Sequence, residues 1–157
     1  MGGRRIRVLR IITRLNAGGP SRHVAILQGG LDPARFESLL VHGRRPEGEA
    51  PISPSVSGEL RAVEDLVRPI APASDLRAAR ALRRIARDFR PDIVHSHQAK
   101  AGLLARAALA GVRRVHTFHG HTFSGYWSGV THRALRMVER SLVRRSDRLI
   151  AQSPSQA

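Results

Sequence analysis

Short apolar runs rich in β-branched residues alternate with helical patterns along almost the whole chain. The apolar runs predict strands at 6–13, 36–41, 92–96, 112–118 and 147–151, with a further short strand at 64–69. Helical patterns lie between them, at about 21–31, 74–90, 99–110 and 130–145. Neighbouring parallel strands need a crossover helix, so this alternation predicts a doubly wound parallel sheet, a Rossmann-like α/β fold.

The length and composition fit one such domain, spanning residues 1–157. The chain is 41% hydrophobic, which excludes a disordered tail. It has no cysteine, so disulfides, zinc–thiolate sites and cysteine nucleophiles are excluded together. No stretch approaches the roughly 20 apolar residues of a membrane-spanning helix, and Arg7 and Arg10 interrupt the apolar N-terminal run. We therefore expect a cytoplasmic protein.

The chain is strongly basic, with 27 arginine and lysine residues against 12 acidic ones and a net charge of +15. Such a charge attracts anions: nucleic acid, phosphorylated small molecules or an acidic membrane face. The predicted helix at 74–90 separates an apolar side, which includes Leu76, from an arginine side that contains Arg77, Arg80, Arg84 and Arg87. A helix that packs on a sheet and exposes its arginines to solvent explains this pattern best. Contact between the arginine side and anionic lipid stays the alternative.

In a parallel sheet of this kind, ligands bind outside the carboxyl ends of the strands, so the loops after strands are candidate sites. Gly18 and Gly19 lie in the first such loop, directly before a helix N-terminus whose N–H groups can meet a phosphate. The loop matches neither the dinucleotide nor the P-loop motif, and a double glycine alone is more often a tight turn. Lys100, the only lysine, lies at the start of a predicted helix that follows another strand. Its side chain is either a phosphate contact or a surface cation without a ligand.

Five of the eight histidines lie in a 27-residue stretch around the ends of two predicted strands. His95 and His116 are expected to bond backbone groups within the fold. His119 stands at a strand end, where a neutral imidazole can meet a substrate hydroxyl or a developing charge. The cluster lacks the HExxH spacing and any cysteine, so we predict no metal site, with a metal-binding domain as a further hypothesis. Three aromatic residues in the following loop can stack on a sugar, insert at an interface or anchor the loop: Phe123, Tyr126 and Trp127.

Four segments, taken together, resemble the N-terminal domain of bacterial family-4 (group 1) glycosyltransferases with the GT-B fold. They are VLRIITRLNAGGPSRHV (8–24), RPDIVHSHQAKAG (90–102), VHTFHGHTFSGYWS (115–128) and DRLIAQSPSQ (147–156). The resemblance implies transfer of a sugar from a nucleotide diphosphate sugar to an acceptor, usually with retention and without an essential metal or other cofactor. The acceptor class it implies is a glycan or a lipid-linked sugar, in polysaccharide or cell-envelope synthesis.

The resemblance also implies roles for single residues. Gly18 and Gly19 would lie near the donor phosphates and the acceptor. His119 would lie near the transferred sugar and contact its hydroxyl, which makes it the catalytic candidate. Lys100 and His97 fall in matching motifs and are expected to help bind donor phosphate or acceptor. Some members sit on membranes through the basic face of this domain, which for this chain implies Arg77, Arg80, Arg84 and Arg87.

The sequence departs from the family in length, since a full member has about twice as many residues, in two domains. The second domain, with its acidic E-x7-E motif and a basic pair that binds the diphosphate, has no counterpart here. We therefore expect an acceptor-side half, truncated and incomplete alone, that works with a C-terminal partner domain. The alternative is a basic, non-catalytic module for anionic membrane or nucleic acid, with nucleic acid the weaker choice because the arginines are spread along the chain.

Overall fold

The structure is a computed structural model that describes residues 3–52, 56–119, 137 and 140–152. The strands in chain order are β1 (Ile6–Ile12), β2 (Phe36–Gly43), β3 (Glu59–Val63), β4 (Ile93–His97), β5 (Arg113–Phe118) and β6 (Arg148–Ala151). The helices are α1 (Gly19–Gly29), α2 (Pro72–Phe89) and α3 (Ala99–Ala108), and residues 140–143 are also helical. Among the described residues, no helix is both long enough and apolar enough to cross a bilayer.

All six strands pair in parallel, in the order β3-β2-β1-β4-β5-β6. The predicted doubly wound, Rossmann-like sheet is therefore confirmed. The chain builds outward from β1 to β3 and then returns to place β4 against the other edge of β1, with Val8 opposite Ile93. This reversal between β1 and β4 is the point where doubly wound sheets bind their ligands.

The sheet buries apolar residues on both faces, as a doubly wound fold requires. On one face Leu9 and Ile11 of β1 pack with residues of α2 and α3, including Leu82 and Leu104. On the other face α1 covers a smaller cluster, in which Val24 packs against side chains of the first two strands: Ile12 and Leu40. The strongly apolar centre of β1 thus comes from its position between two helical layers.

One charged side chain crosses the apolar layer under α1. Arg10 of β1 is only 3% exposed, and its guanidinium donates to Gln28 Oε1 at 3.1 Å and to the Leu27 carbonyl at 3.2 Å. It also lies 3.2 Å from His95 Nδ1 on the neighbouring strand. Burial lowers the pKa of Arg10 to about 10, so the group stays a cation at neutral pH. Its three contacts offset the cost of taking that charge out of water.

Two sequence predictions differ from the structure. The third strand is Glu59–Val63, not 64–69, because the chain turns at Leu66, whose N–H donates to the Val63 carbonyl at 2.9 Å. Leu76, predicted on the apolar side of α2, is 49% exposed. The buried residues of α2 are Ala78, Leu82 and Ile85. At about 100° per residue Leu76 lies about 150° around the helix from the centre of that face, so it is on the exposed side with Arg80.

Some predictions fall on residues that the structure does not describe. The aromatic loop with Phe123, Tyr126 and Trp127 lies outside the described residues, as does His121. The helix predicted at 130–145 is described only in part, and residues 137 and 140–143 of it are helical.

Candidate functional site

Several predicted site residues meet at the carboxyl ends of the strands. His97 is the last residue of β4, and His119 directly follows β5. The double-glycine loop follows β1, the strand next to β4. Because parallel strands all end at one edge of the sheet, the fold brings the three features to the same side.

The two histidines are in direct contact. His97 Nδ1 lies 3.0 Å from His119 Nε2, a hydrogen bond whose donor depends on the tautomer. His23 of α1 completes the group, with its ring centre 5.3 Å from that of His119 and 5.9 Å from that of His97. Gln152, just after β6, places its side-chain nitrogen 3.2 Å from His23 Nδ1. We call His23, His97 and His119 the histidine triad.

The triad is electrically neutral at pH 7. Burial, followed by the charge of His23, lowers the pKa of His119 to about 4. Burial also holds the pKa of His97 far below its usual value, with His95 adding to the effect, and lowers the pKa of His23. A neutral imidazole has one N–H and one lone pair, so it can both donate and accept a hydrogen bond.

Two buried nitrogens of the triad have no hydrogen-bond partner among the described residues: His97 Nε2 and His119 Nδ1. Buried polar groups are almost always paired, so such atoms call for an explanation. The position of the triad at the strand ends supports one explanation, namely that these nitrogens bind a ligand, either a hydroxyl group or an ion.

The double glycine is not required by the backbone. Gly18 has φ −173°, an extended conformation that any residue adopts. A Cβ on Gly19 would meet nothing within 4 Å, and one on Gly18 would lie 3.7 Å from the nearest atom, in Asn16. The turn is held instead by Ser21, whose Oγ accepts the Asn16 N–H at 3.1 Å. The glycines thus leave open space beside the N-terminus of α1, where the N–H groups of Gly19 and Ser21 have no acceptor within the helix and Pro20 between them has no N–H.

Lys100 makes an internal ion pair. Its ammonium lies 2.6 Å from Asp75 Oδ1, and the residue is only 8% exposed. Asp75 also accepts the Ala71 N–H at the start of α2, at 3.3 Å. Lys100 therefore links the N-terminal ends of α2 and α3, and its role towards phosphate stays a prediction.

Comparison with known proteins gives the family. The family model of Glycosyltransferase Family 4 matches residues 17–157. The chain belongs to this family. Glycogen synthases of two Mycobacterium tuberculosis strains, CDC 1551 and H37Rv, are 32% identical to it over 169 residues. The match covers 88% of this chain but only 39% of each relative, so the family-4 chain spans well under half the length of these relatives.

Solved structures share the fold at low sequence identity. MurG of Acinetobacter baumannii superimposes with a TM-score of 0.62 at 13% identity, over 97% of this chain and 43% of MurG. Sucrose-phosphate synthase of Thermosynechococcus elongatus superimposes with a TM-score of 0.66 at 15% identity, over 96% of this chain and 43% of the synthase. A putative UDP-N-acetylglucosamine 2-epimerase of Listeria monocytogenes superimposes with a TM-score of 0.70 at 16% identity, over 98% of this chain and 41% of the epimerase. The family-4 chain thus has the Rossmann-like architecture of one half of a GT-B fold.

A strained turn positions His97 in the family-4 domain. Gln98, between β4 and α3, has φ 67° and ψ 155°, a region that is almost restricted to glycine. The N–H of Ala101 donates to Thr13 Oγ1 at 3.1 Å, which ties the start of α3 to the end of β1. Such a conformation persists only where its surroundings fix it, so His97 is held firmly at the sheet edge.

The arginine side of α2 forms no part of this site. Arg77, Arg80, Arg84 and Arg87 are all exposed, as the sequence predicts, and Arg77 pairs with Asp65 at 2.8 Å. No hydrogen bond or ion pair joins these arginines to the triad within the described part of the chain. Their suggested contact with lipid is a separate question.

Sequence reasoning missed two residues of the site: His23 and Gln152. His23 lies one helical turn after Gly19, on the first helix after the switch-point strand. Gln152 follows β6 directly, so the same strand-end rule that selected His119 also points to it. No local pattern indicates that His23 approaches two histidines more than 70 positions away.

Proposed function

We propose that this family-4 domain forms the acceptor-side half of the active site of a sugar transferase. The donor would be a nucleotide diphosphate sugar, and the acceptor a glycan or lipid-linked sugar in polysaccharide or cell-envelope synthesis. The observation that carries the proposal is the meeting of a neutral histidine pair with an open, glycine-lined helix N-terminus at one sheet edge. The glycogen synthase relatives support a polysaccharide acceptor.

His119 is the catalytic candidate in this proposal. Cleavage of a glycosidic bond passes through a state with positive charge on the sugar ring. A neutral imidazole can hydrogen-bond a sugar hydroxyl without repelling that charge, and burial keeps His119 neutral. His97, 3.0 Å away, orients the ring and acts as a positioning residue.

The start of α1 would receive negative charge as the nucleotide diphosphate leaves. Free N–H groups and the helix dipole both stabilise an anion at a helix N-terminus. Gly18 and Gly19 keep that surface free of side-chain atoms, so phosphate oxygens can approach the backbone. In this proposal neither a metal nor an organic cofactor takes part.

In this proposal, catalysis also needs a donor-binding domain. Transfer requires donor and acceptor to be held in one geometry, and this chain spans 39% of the length of its curated relatives. We propose that a C-terminal donor-binding domain supplies the rest of the nucleotide-sugar contacts. The chain alone should therefore bind acceptor weakly and transfer no sugar.

The test measures transfer from a panel of labelled nucleotide sugars to glycan and lipid-linked acceptors. The chain is assayed alone and joined to the donor-binding domain of a family-4 transferase. Activity should appear only in the joined form, and His119→Ala should lower kcat by about 100-fold, the scale of losing one aligned hydrogen bond in a transition state. Full activity in the His119→Ala variant would contradict the proposed role.

A matched glycine pair tests the loop. A methyl group added at Gly19 or at Gly29 would meet open space, and neither residue has a positive φ, so alanine fits at either position. In the joined enzyme we expect Gly19→Ala to lower kcat/KM by about tenfold, because the methyl group stands where the phosphate approaches. Gly29→Ala, at the far end of α1, should leave kcat/KM unchanged. If both substitutions changed kcat/KM equally, Gly19 would not act in phosphate binding.

A second proposal concerns the arginine side of α2, which would lie against the inner face of the cytoplasmic membrane. Arg80, Arg84 and Arg87 are exposed and make no ion pair with any described residue. Two large apolar residues near the N-terminal end of the same helix are also exposed, Ile70 by 61% and Leu76 by 49%. Basic residues beside exposed apolar ones are the combination that interfacial helices use.

A further inference from the structure

The histidine triad has the composition of a metal site. One ring nitrogen of each histidine lies within 4.8 Å of the other two, and the group contains no carboxylate. Its members come from α1, from the end of β4 and from the residue after β5, so only the folded chain assembles them. Imidazole nitrogen is a ligand of divalent zinc, copper, nickel and cobalt, whereas magnesium and calcium prefer oxygen.

The spacing within the triad is close to what such an ion needs. Two imidazole nitrogens on one tetrahedral zinc-type ion lie about 3.3 Å apart, given metal–nitrogen distances of about 2.0–2.1 Å. His97 Nδ1 and His119 Nε2 are already 3.0 Å apart. The nitrogen of His23 lies within 4.8 Å of the other two, so His23 has to move closer to reach the same centre, and its half-buried side chain on a helix surface can turn.

The surroundings of the triad also resemble those of a metal centre. His97 Nε2 and His119 Nδ1 have no hydrogen-bond partner among the described residues. When an ion takes the two facing nitrogens, the proton between them can move to one of these unpaired positions on its own ring, so both rings stay neutral. The side-chain nitrogen of Gln152 lies 3.2 Å from His23 Nδ1. A ligating imidazole donates its other N–H to an oxygen, so the Gln152 amide has to turn and present its Oε1 to His23 when an ion binds.

We propose that the histidine triad binds one divalent ion of the zinc class, with three protein nitrogens and an open fourth position facing the strand ends. This site goes beyond the proposed function and does not depend on it. The effect of the ion on activity does rest on the proposed function. An ion on His119 Nε2 would fix the ring on which that function depends, so bound zinc would inhibit the transferase.

The positive charge nearby works against the site without excluding it. Arg10 contacts His95, whose ring centre lies 4.1 Å from that of His97, and in addition to burial the Arg10 charge also helps to lower the pKa of His97 and of His23. Its guanidinium is already bonded to Gln28 and to the Leu27 carbonyl, and it points no N–H at the triad itself. The positive charge of Arg10 therefore lowers the affinity of the triad for a metal ion, relative to a site with acidic neighbours.

Cobalt chloride is the probe, because tetrahedral cobalt absorbs strongly in the visible range. The chain, purified without a histidine tag and stripped with a chelator, should bind one equivalent of cobalt with these absorption bands. His23→Ala should weaken cobalt binding at least about tenfold, the effect of losing one of three ligands. His42→Ala is the matched control, since His42 lies on β2, is also half-buried and is outside the triad. Thermal unfolding of both metal-free variants verifies that each one folds.

His23→Cys gives a sharper readout. The chain has no cysteine, so any sulfur-to-cobalt charge-transfer band can come only from position 23. Appearance of this band with retained cobalt binding places residue 23 on the ion. The proposal is overturned if the parent chain gives no visible bands, if His23→Ala and His42→Ala lose binding equally, or if the cysteine variant binds cobalt without the new band. These readouts measure binding alone, so they stand apart from any failure of the transferase assay.

Discussion

The space that a Cβ of Gly102 would need is filled by the ring of His116. Gly102 lies in α3, and a Cβ there would come within 2.7 Å of His116 Nδ1. That ring is fully buried, and its Nδ1 lies 2.9 Å from Ser96 Oγ on the neighbouring strand. The missing side chain thus sets how closely α3 packs on the sheet, and with it the start of α3 beside His97.

Alanine at position 102 should therefore destabilise the fold. Alanine gains up to about 1 kcal/mol in helix propensity over glycine, but overpacking a buried site costs about 1–3 kcal/mol. We expect Gly102→Ala to lower the free energy of unfolding in urea by up to about 2 kcal/mol, the difference between these terms. Gly29→Ala, in open space at the end of α1, should keep or raise stability. A stabilised Gly102→Ala variant would show that His116 moves aside freely.

Charge on α2 acts at the level of the whole helix, because the arginines on its exposed side lie about one turn apart. We expect the chain to sediment with vesicles of anionic phosphatidylglycerol and not with neutral phosphatidylcholine. Each arginine near such a surface contributes about 1 kcal/mol, so neutralising Arg80, Arg84 and Arg87 to glutamine should lower binding by about 100-fold.

A control with the same charge change identifies the face. Glutamine at Arg44, Arg68 and Arg113, which are exposed outside α2, also removes three charges. This triple variant should keep most of its vesicle binding. An equal loss of vesicle binding in both triple variants would mean that binding follows net charge alone. If the unsubstituted chain bound nucleic acid as tightly as it binds anionic vesicles, the alternative of a basic, non-catalytic module would be supported.

Elements proved easier to predict than the contacts between them. Regular periodicity located five of the six strands and the helices α1, α2 and α3 to within about two residues. The exception, β3, is a short edge strand with four of its five residues exposed, so it has no apolar pattern to detect. For the site, the ends of strands pointed to His97 and His119, but the approach of His23 depends on helix packing, which no local spacing encodes.

Buried neutral histidines make the stability of the whole molecule depend on pH. Burial lowers the pKa of His95 and of His116 to about 3 each, and holds that of His97 lower still. In the unfolded chain these groups titrate near 6.5. His119, with its pKa of about 4, is a fourth such group. Below about pH 6.5 the unfolded chain therefore takes up about four protons that the folded chain does not bind, so stability falls as pH drops from about 6.5 towards 4.

Urea unfolding at pH 7.5, 6.5 and 5.5 measures this effect. Stability should fall by about 1 kcal/mol between the first two values and then more steeply, at up to about 5 kcal/mol per pH unit, the limiting slope for four protons. His116→Asn should reduce the slope by about one quarter. A slope that stays flat below pH 6.5 would mean that the histidines are protonated in the folded chain.

The central place of β1 also determines when this domain can fold during synthesis. Val8 pairs with Ile93, so one edge of the first strand waits for a partner made about 85 residues later. At about 5–20 residues per second, a ribosome needs roughly 4 to 17 seconds to deliver it. During that interval one side of the nascent sheet is unpaired and Leu9 and Ile11 lack the cover of α3. We therefore expect the nascent chain to expose apolar segments of the kind that chaperones bind as they leave the ribosome.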